Sequence, residues 1–194
     1  MSIIWFRRDL RLGDHPALAA AVRAGEVAPV YIRDHSLATS ERRSSYLAAS
    51  LQALDESLGG NLHVYEGSPV EILKKLSAQY GEIFVTEEFT PKAILRNEEL
   101  AKAQITINHV GSPYAVSPGR VRKSDGTPYR VYTPFYKAWC AVGWRAPSEL
   151  PATPKWISPP PAARKFPDIT CEVPPAGEVV VSSGNSFEMF DLKC

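Results

Sequence analysis

Cysteine is scarce in this sequence. Only Cys140, Cys171 and Cys194 occur, far apart, odd in number and without C-x-x-C spacing. That excludes a disulfide framework and a cysteine-based zinc site. An excess of one charge is lacking too. Lys and Arg total 22 against 21 for Asp and Glu, a net charge of +1, so no overall field draws the chain to nucleic acid or to an anionic membrane. No apolar run approaches the ~20 residues that would span a bilayer. The opening Met1-Ser2-Ile3-Ile4-Trp5-Phe6-Arg7-Arg8 has too short an apolar run for a signal peptide, and no cleavage pattern follows. A reducing, cytoplasmic setting is the expectation. His15, His35, His63 and His109 show no metal-ligand spacing, and no segment repeats.

What is present is ordinary globular composition, 44% hydrophobic and 22% charged over 194 residues. The first 110 residues alternate short apolar runs with amphipathic stretches. Ile3–Phe6 reads as a buried strand. Pro16–Arg23 is alanine-rich and helical, with Asp14 near its cap and Pro16 in its first turn. Strands follow at Val27–Ile32, Leu62–Tyr65, Ile83–Thr86 and Ile105–Val110. Between them lie helices at Arg42–Leu58, Val70–Tyr80 and Pro91–Ala103. The first of these carries apolar residues at 47, 51, 54 and 58, spacings of four, three and four. Strands separated by helical crossovers run parallel. The fold class is therefore α/β, a doubly wound, five-stranded Rossmann-like parallel sheet with helices on both faces. Ligands of such sheets sit at the carboxyl ends of the strands. That singles out the loops after Phe6, Ile32, Tyr65 and Thr86.

Beyond residue 111 the alternation stops. Ser124-Asp125-Gly126-Thr127 marks a turn within a small hairpin or extended loop. Pro134–Val142 reads as a short helix. Nine of the seventeen prolines fall after residue 146, Pro159-Pro160-Pro161 among them, which reads as an extended linker. The expected organisation is an α/β domain over 1–145, a Pro-rich linker over 146–178 and a tail over 179–194.

The chemistry concentrates after the first strand. Arg7, Arg8, Asp9, Arg11 and Asp14 crowd one loop. The G-x-G-x-x-G pattern of a pyrophosphate cradle is absent. Guanidinium and carboxylate groups here either clamp a planar polar ring through bidentate hydrogen bonds and stacking, or form an ion-pair network that pins the loop. Composition alone leaves both readings open.

The stretch from Trp5 to Leu18 resembles the opening signature of the photolyase and cryptochrome family, W-F-R-x-D-L-R-x-x-D-x-x-A-L, at every position. The resemblance continues in order. It runs through Arg43–Leu54, the turn Tyr65-Glu66-Gly67-Ser68-Pro69, and Phe89-Thr90-Pro91 with Arg96. It then takes in the long segment Pro128-Tyr129-Arg130-Val131-Tyr132-Thr133-Pro134-Phe135-Tyr136-Lys137-Ala138-Trp139, and reaches Gly177-Glu178.

The resemblance implies a light-harvesting domain that holds an antenna chromophore, either a folate (methenyltetrahydrofolate) or a deazaflavin. In the family, excitation passes to FAD in a separate helical domain, which repairs pyrimidine dimers in DNA. The FAD, the contact with damaged DNA and the catalytic step are implied only for that helical domain. The expectation is that this chain lacks it and does not repair DNA alone. The helical domain is the implied partner, and the face it would cover is an expected site of self-association. No membrane partner is expected. The alternatives are a cryptochrome-type light-signalling domain, an unrelated nucleotide-binding α/β module, and a folded domain that holds no antenna.

Folate-type members carry an Asn-Glu pair where this chain has Lys92 and Ala93. Deazaflavin-type members have an acid three residues before Pro91, here Glu88, and a second where this chain has Thr90. A deazaflavin or flavin-like chromophore is therefore favoured over methenyltetrahydrofolate. Its implied contacts are Arg8, Asp9, Arg11, Ile32, Arg33, Asp34 and Glu88. No catalytic or metal-ligating residue is expected.

Overall fold

A computed structural model describes residues 1–34, 40–151 and 153–171. His35, Gly177-Glu178 and the 179–194 tail of the sequence reading lie outside the described residues. Ten main elements follow in order: β1 (Ser2–Phe6), α1 (Pro16–Arg23), β2 (Val27–Arg33), α2 (Glu41–Ser57), β3 (His63–Glu66), α3 (Pro69–Tyr80), β4 (Glu82–Val85), α4 (Pro91–Lys102), β5 (Ile107–His109) and α5 (Tyr132–Val142). The five strands form one sheet in the order β3-β2-β1-β4-β5. Every neighbouring pair is parallel.

Strand alternation builds two cores. Ile3, Trp5, Ile83 and Val85 face one side, where they pack with Leu73, Leu76 and Tyr80 of α3 and Leu100 of α4. Ile4, Phe6 and Phe84 face the other side, against Ala17, Leu18 and Ala21 of α1 and Leu51 and Leu54 of α2. A strand buried on both faces needs an unbroken apolar run, and β1 supplies one. The strand order reverses between β1 and β4. In doubly wound sheets that reversal opens a crevice at the carboxyl edge.

Local chemistry moves some boundaries. The cap of α1 is His15, not Asp14. His15 Nδ1 accepts the Leu18 N–H at 3.1 Å. The Asp14 carboxylate instead accepts from Arg145 at 2.6 Å and from the Ser148 N–H at 2.8 Å. Strand β5 starts at Ile107, later than Ile105, because Ile105 closes the end of α4. Its N–H donates to the Leu100 carbonyl at 3.0 Å and the Gln104 N–H to that of Ala101 at 3.0 Å. Gln104 takes a positive φ of 59°. This is a Schellman ending, with Leu100 and Ile105 as its apolar pair. The turn near Gly126 forms, with its N–H bonded to the Lys123 carbonyl at 2.9 Å. Its flanks stay extended loop and do not pair as strands.

Gly111, just after β5, has φ +70°, and a Cβ there would lie 2.8 Å from Pro16 Cγ. Only glycine lets this loop press against the start of α1.

The described part of the proline-rich segment lies along the domain, with a 3₁₀ turn at Pro161–Ala163. The Val27 N–H donates to the Lys155 carbonyl at 2.9 Å, and the Ile157 N–H to that of Val27 at 2.8 Å. Trp156 and Phe166 pack on the α1–α2 side of the core. Arg164 holds Asp55 through two bonds, at 2.9 and 2.8 Å. His63, fully buried, meets the Ile157 carbonyl through Nε2 at 2.7 Å. Residues 155–166 thus form a strap over β2 and β3.

Helix α5 buries none of its residues. Tyr132, Tyr136, Trp139 and Trp144 form a ladder of rings, with successive centroids 5.7, 6.3 and 5.2 Å apart. Among the described residues no helix is long and apolar enough to cross a membrane.

Candidate functional site

Chain reversal at the carboxyl edge brings the ends of β1 and β4 side by side. Arg7 follows β1 directly, and Thr86, Glu87 and Glu88 follow β4. Glu88 sits at the centre of three guanidiniums. Arg7 Nε lies 3.1 Å from Oε2, Arg8 Nε 3.6 Å from Oε1, and Arg96 pairs with Oε2 as well. The Arg7 and Glu88 side chains are 5% and 9% exposed, whereas Arg8 is 76% exposed. Three cations around one carboxylate leave the cluster net positive. Two of them lie over the Trp5 ring, the Arg7 and Arg96 guanidinium carbons 5.2 and 5.1 Å from its centroid. Burial pulls the Arg7 guanidinium down to about 10, opposed by Glu88 and reinforced by Arg96. It remains a cation at neutral pH.

Asp9 is buried behind this cluster. Oδ1 accepts the Arg7 N–H at 3.1 Å, and Oδ2 accepts the Thr86 hydroxyl. His15 Nε2 approaches Oδ2 to 2.9 Å, a short contact bent away from ideal hydrogen-bond alignment. Burial alone would raise the Asp9 carboxyl. The His15, Thr86 and Arg7 contacts outweigh it and hold the group well below the usual carboxylate range.

A groove at this edge is made of three adjoining hollows. The first, about 210 Å³, lies between Arg8, Phe89, Pro113 and Tyr114. The second, about 110 Å³, is lined by Trp5, Phe6, Tyr31, Ile32, Asp34 and Ala93. These two share Arg7, Arg8, Glu88 and Thr90. The third, about 410 Å³, is lined by Ser68 and Leu95 and shares Asp34, Pro69, Lys92 and Arg96 with the second. Of the three, only the third by itself reaches the ~300 Å³ at which small-molecule sites begin. Arg7 Nη1 and Arg96 Nε are buried below the surface and have no hydrogen-bond partner among the described residues; both guanidiniums lie over the Trp5 ring. A ligand bringing acceptor atoms to this edge would meet a cationic lining of Arg7, Arg8 and Arg96. A planar ring fits the flat apolar surfaces.

The structure brings Arg8, Asp9, Ile32, Asp34 and Glu88 to this groove. Arg11 turns away and binds the carbonyls of Gly13 and Asp14 at 3.2 and 2.9 Å. Arg33 pairs with Glu66 across β2 and β3. Glu88 holds arginines and is not a rim acceptor. Thr90, the position of an expected acid, caps α4 by accepting the Ala93 N–H at 3.3 Å. Sequence reasoning left Arg7, Trp5 and Thr86 out of the site. The signal for Arg7 was its place next to Arg8 at a strand end, where adjacent side chains diverge. Among the described residues no cluster of His, Cys, Asp and Glu is arranged for a metal ion.

Comparison with known proteins bears on the family and the fold. Residues 2–155 match the family model described as DNA photolyase. A deoxyribodipyrimidine photo-lyase of Alkalihalophilus pseudofirmus is 32% identical over 166 residues, 77% of this chain and 35% of that protein. One of Agrobacterium fabrum is 38% identical over 149 residues, 70% of this chain and 31% of the relative. An archaeal photolyase from Sulfolobus tokodaii, solved with two FAD molecules and described as implying a novel light-harvesting cofactor, superposes with a TM-score of 0.66. It is 27% identical, over 81% of this chain and 38% of that one. The chain thus spans about a third of the length of the relatives it matches. With a family model covering most of its length and a five-stranded sheet to match, the chain belongs to the DNA photolyase family.

Proposed function

We propose that the groove at the β1–β4 edge binds an antenna chromophore of the flavin or deazaflavin class, and that the chain is the light-collecting part of a photolyase. The observation that carries this reading is a groove lined by the Arg7, Arg8 and Arg96 guanidiniums around Glu88 beside the Trp5 ring. A flavin-type ring presents carbonyl oxygens and ring nitrogens along one edge, acceptors that match such a cationic lining. Lys92 and Ala93 leave no carboxylate for a pterin at the start of α4, which disfavours a folate. The two FAD molecules of the Sulfolobus tokodaii relative point to the same ligand class.

The bound group would supply absorption of near-ultraviolet to blue light. Arg7 and Arg96 would hold its acceptor edge, Arg8 would cover it from solvent, and Glu88 would keep the three cations at fixed spacing. Transfer of the excitation to a catalytic flavin, and repair of pyrimidine dimers in DNA, belong in this reading to the longer photolyase. The test is reconstitution. The purified chain is incubated with FAD or with a 5-deazaflavin, desalted and scanned. A retained near-ultraviolet to blue band supports the reading, and a featureless spectrum with both contradicts it.

A further inference from the structure

We infer that Thr86 is a positioning residue for the chromophore site, setting the orientation of Arg7 through Asp9. The inference rests on the chromophore reading for its binding arm. Three hydrogen bonds close a ring across two chain segments. The Arg7 N–H donates to Asp9 Oδ1 at 3.1 Å, the Thr86 hydroxyl donates to Asp9 Oδ2, and the Thr86 carbonyl accepts from Arg7 Nη2. Thr86 therefore touches Arg7 twice, once directly by its backbone and once through the carboxylate. Asp9 and Thr86 are 7% and 5% exposed, so neither bond is exchanged readily for water.

The ring fixes what a lone ion pair does not. Arg7 Nε faces Glu88 at 3.1 Å, but one such contact leaves the guanidinium free to rotate about it. The Thr86 carbonyl pins a second nitrogen. With Nε held by Glu88 and Nη2 by the Thr86 carbonyl, the plane and position of the guanidinium beside the groove are fixed. The hydroxyl holds the carbonyl in place, because Thr86 lies just beyond the last paired residue of β4. Bound at Oγ1, the residue turns its carbonyl to Arg7. Deprived of that bond, the strand end loses its anchor to the β1 loop, and Asp9 is left a buried carboxylate with fewer donors.

Thr86→Val removes the hydroxyl at nearly constant shape, and Thr86→Ser keeps it with less bulk. Two readouts are taken on the 194-residue chain. Exchange of the Arg7 Nε–H is followed by NMR without ligand, and FAD affinity is measured by titration. Thr86→Val is expected to lose about tenfold in Arg7 Nε–H protection and about tenfold in FAD affinity, the size of one hydrogen bond to a charged group. Thr86→Ser is expected to stay within about twofold of wild type on both. Should Thr86→Val fail to fold, Thr86→Ala deletes the same hydroxyl without added bulk and is read in the same way. Unchanged Arg7 protection in the hydroxyl-free variant overturns the inference, as does equal loss in Thr86→Ser. Absence of FAD binding by the wild-type chain would count against FAD as the chromophore, and the NMR arm would still decide the role of Thr86.

Discussion

Arg7 and Glu88 meet at 3.1 Å across the point where the strand order reverses, and almost no solvent reaches either side chain. Glu88 also holds Arg96. A buried carboxylate shared by two guanidiniums cannot be removed without leaving cations unpaired. Glu88→Gln is expected to destabilise the fold by about 3 kcal/mol, the low end for breaking one side of a buried pair. Urea unfolding at neutral pH measures it. A loss near zero would show that Arg7 and Arg96 are held by other contacts.

The depressed Asp9 carboxyl makes a pH prediction. A group whose folded value lies below its unfolded one stabilises the fold above the unfolded value, about pH 4. That contribution is lost as pH falls from about 4 toward the folded value. Wild type should therefore lose stability steeply below about pH 4, and Asp9→Asn should be less stable at pH 7 yet flatter on the acid side. Urea midpoints across that range test it. Parallel acid limbs in the two proteins would assign the loss to other carboxylates.

The strap makes a second one. His63 titrates below its ordinary value, chiefly because it is buried, opposed by its bond to the Ile157 carbonyl and helped by Arg164. Its Nδ1 is buried without a partner among the described residues, so a proton added there meets no acceptor among them. The neutral ring therefore holds the strap, and the hold weakens as pH falls below about 6.5, the ordinary histidine value. Proteolysis within residues 153–171 should be slower at pH 7.5 than at pH 5, judged against an unfolded substrate as control. His63→Phe should abolish that difference.

Much of this was legible in the residues. The apolar run of β1 and the spacing in α2 gave strand and helix correctly, and the charges crowded after Phe6 lie at the groove proposed as the site. Less legible was which arginine does what. Arg7 and Arg8 are identical in type, but one turns into the cluster and the other into solvent. The Thr86 hydroxyl has no pattern around it at all, because its partner is 77 residues away. Proline content pointed to an extended linker, and nothing in it signalled that Lys155, Ile157 and Lys165 bond to β2 and β3. Ile105 looked like strand because its burial is real, yet it serves the end of a helix.

Gly111→Ala tests a close approach remote from the charge cluster. The substitution combines a left-handed φ with a Cβ 2.8 Å from Pro16. A cost of about 2 kcal/mol or more is expected, read by thermal or urea unfolding. A neutral result would mean that the loop after β5 moves off α1 freely.

The exposed rings of α5 and its flank predict behaviour in solution. Tyr132 is 73% exposed, and Trp144 nearly half. An apolar patch of this kind promotes association. Sedimentation velocity on the 194-residue chain should show concentration-dependent self-association, reduced by the double substitution Tyr132→Ser and Trp144→Ser. A monomer at all concentrations would contradict it.

The central claim is that a flavin-class chromophore sits against the Arg7–Glu88–Arg96 cluster. Calorimetric titration of FAD, and in parallel of a 5-deazaflavin, into the wild-type chain and into a folded Glu88→Gln variant tests it most directly. The account predicts saturable binding of at least one of them at a single site per chain, weakened about tenfold or more in the variant. Binding of equal strength in both proteins, or no saturable binding of either ligand to wild type, would contradict it.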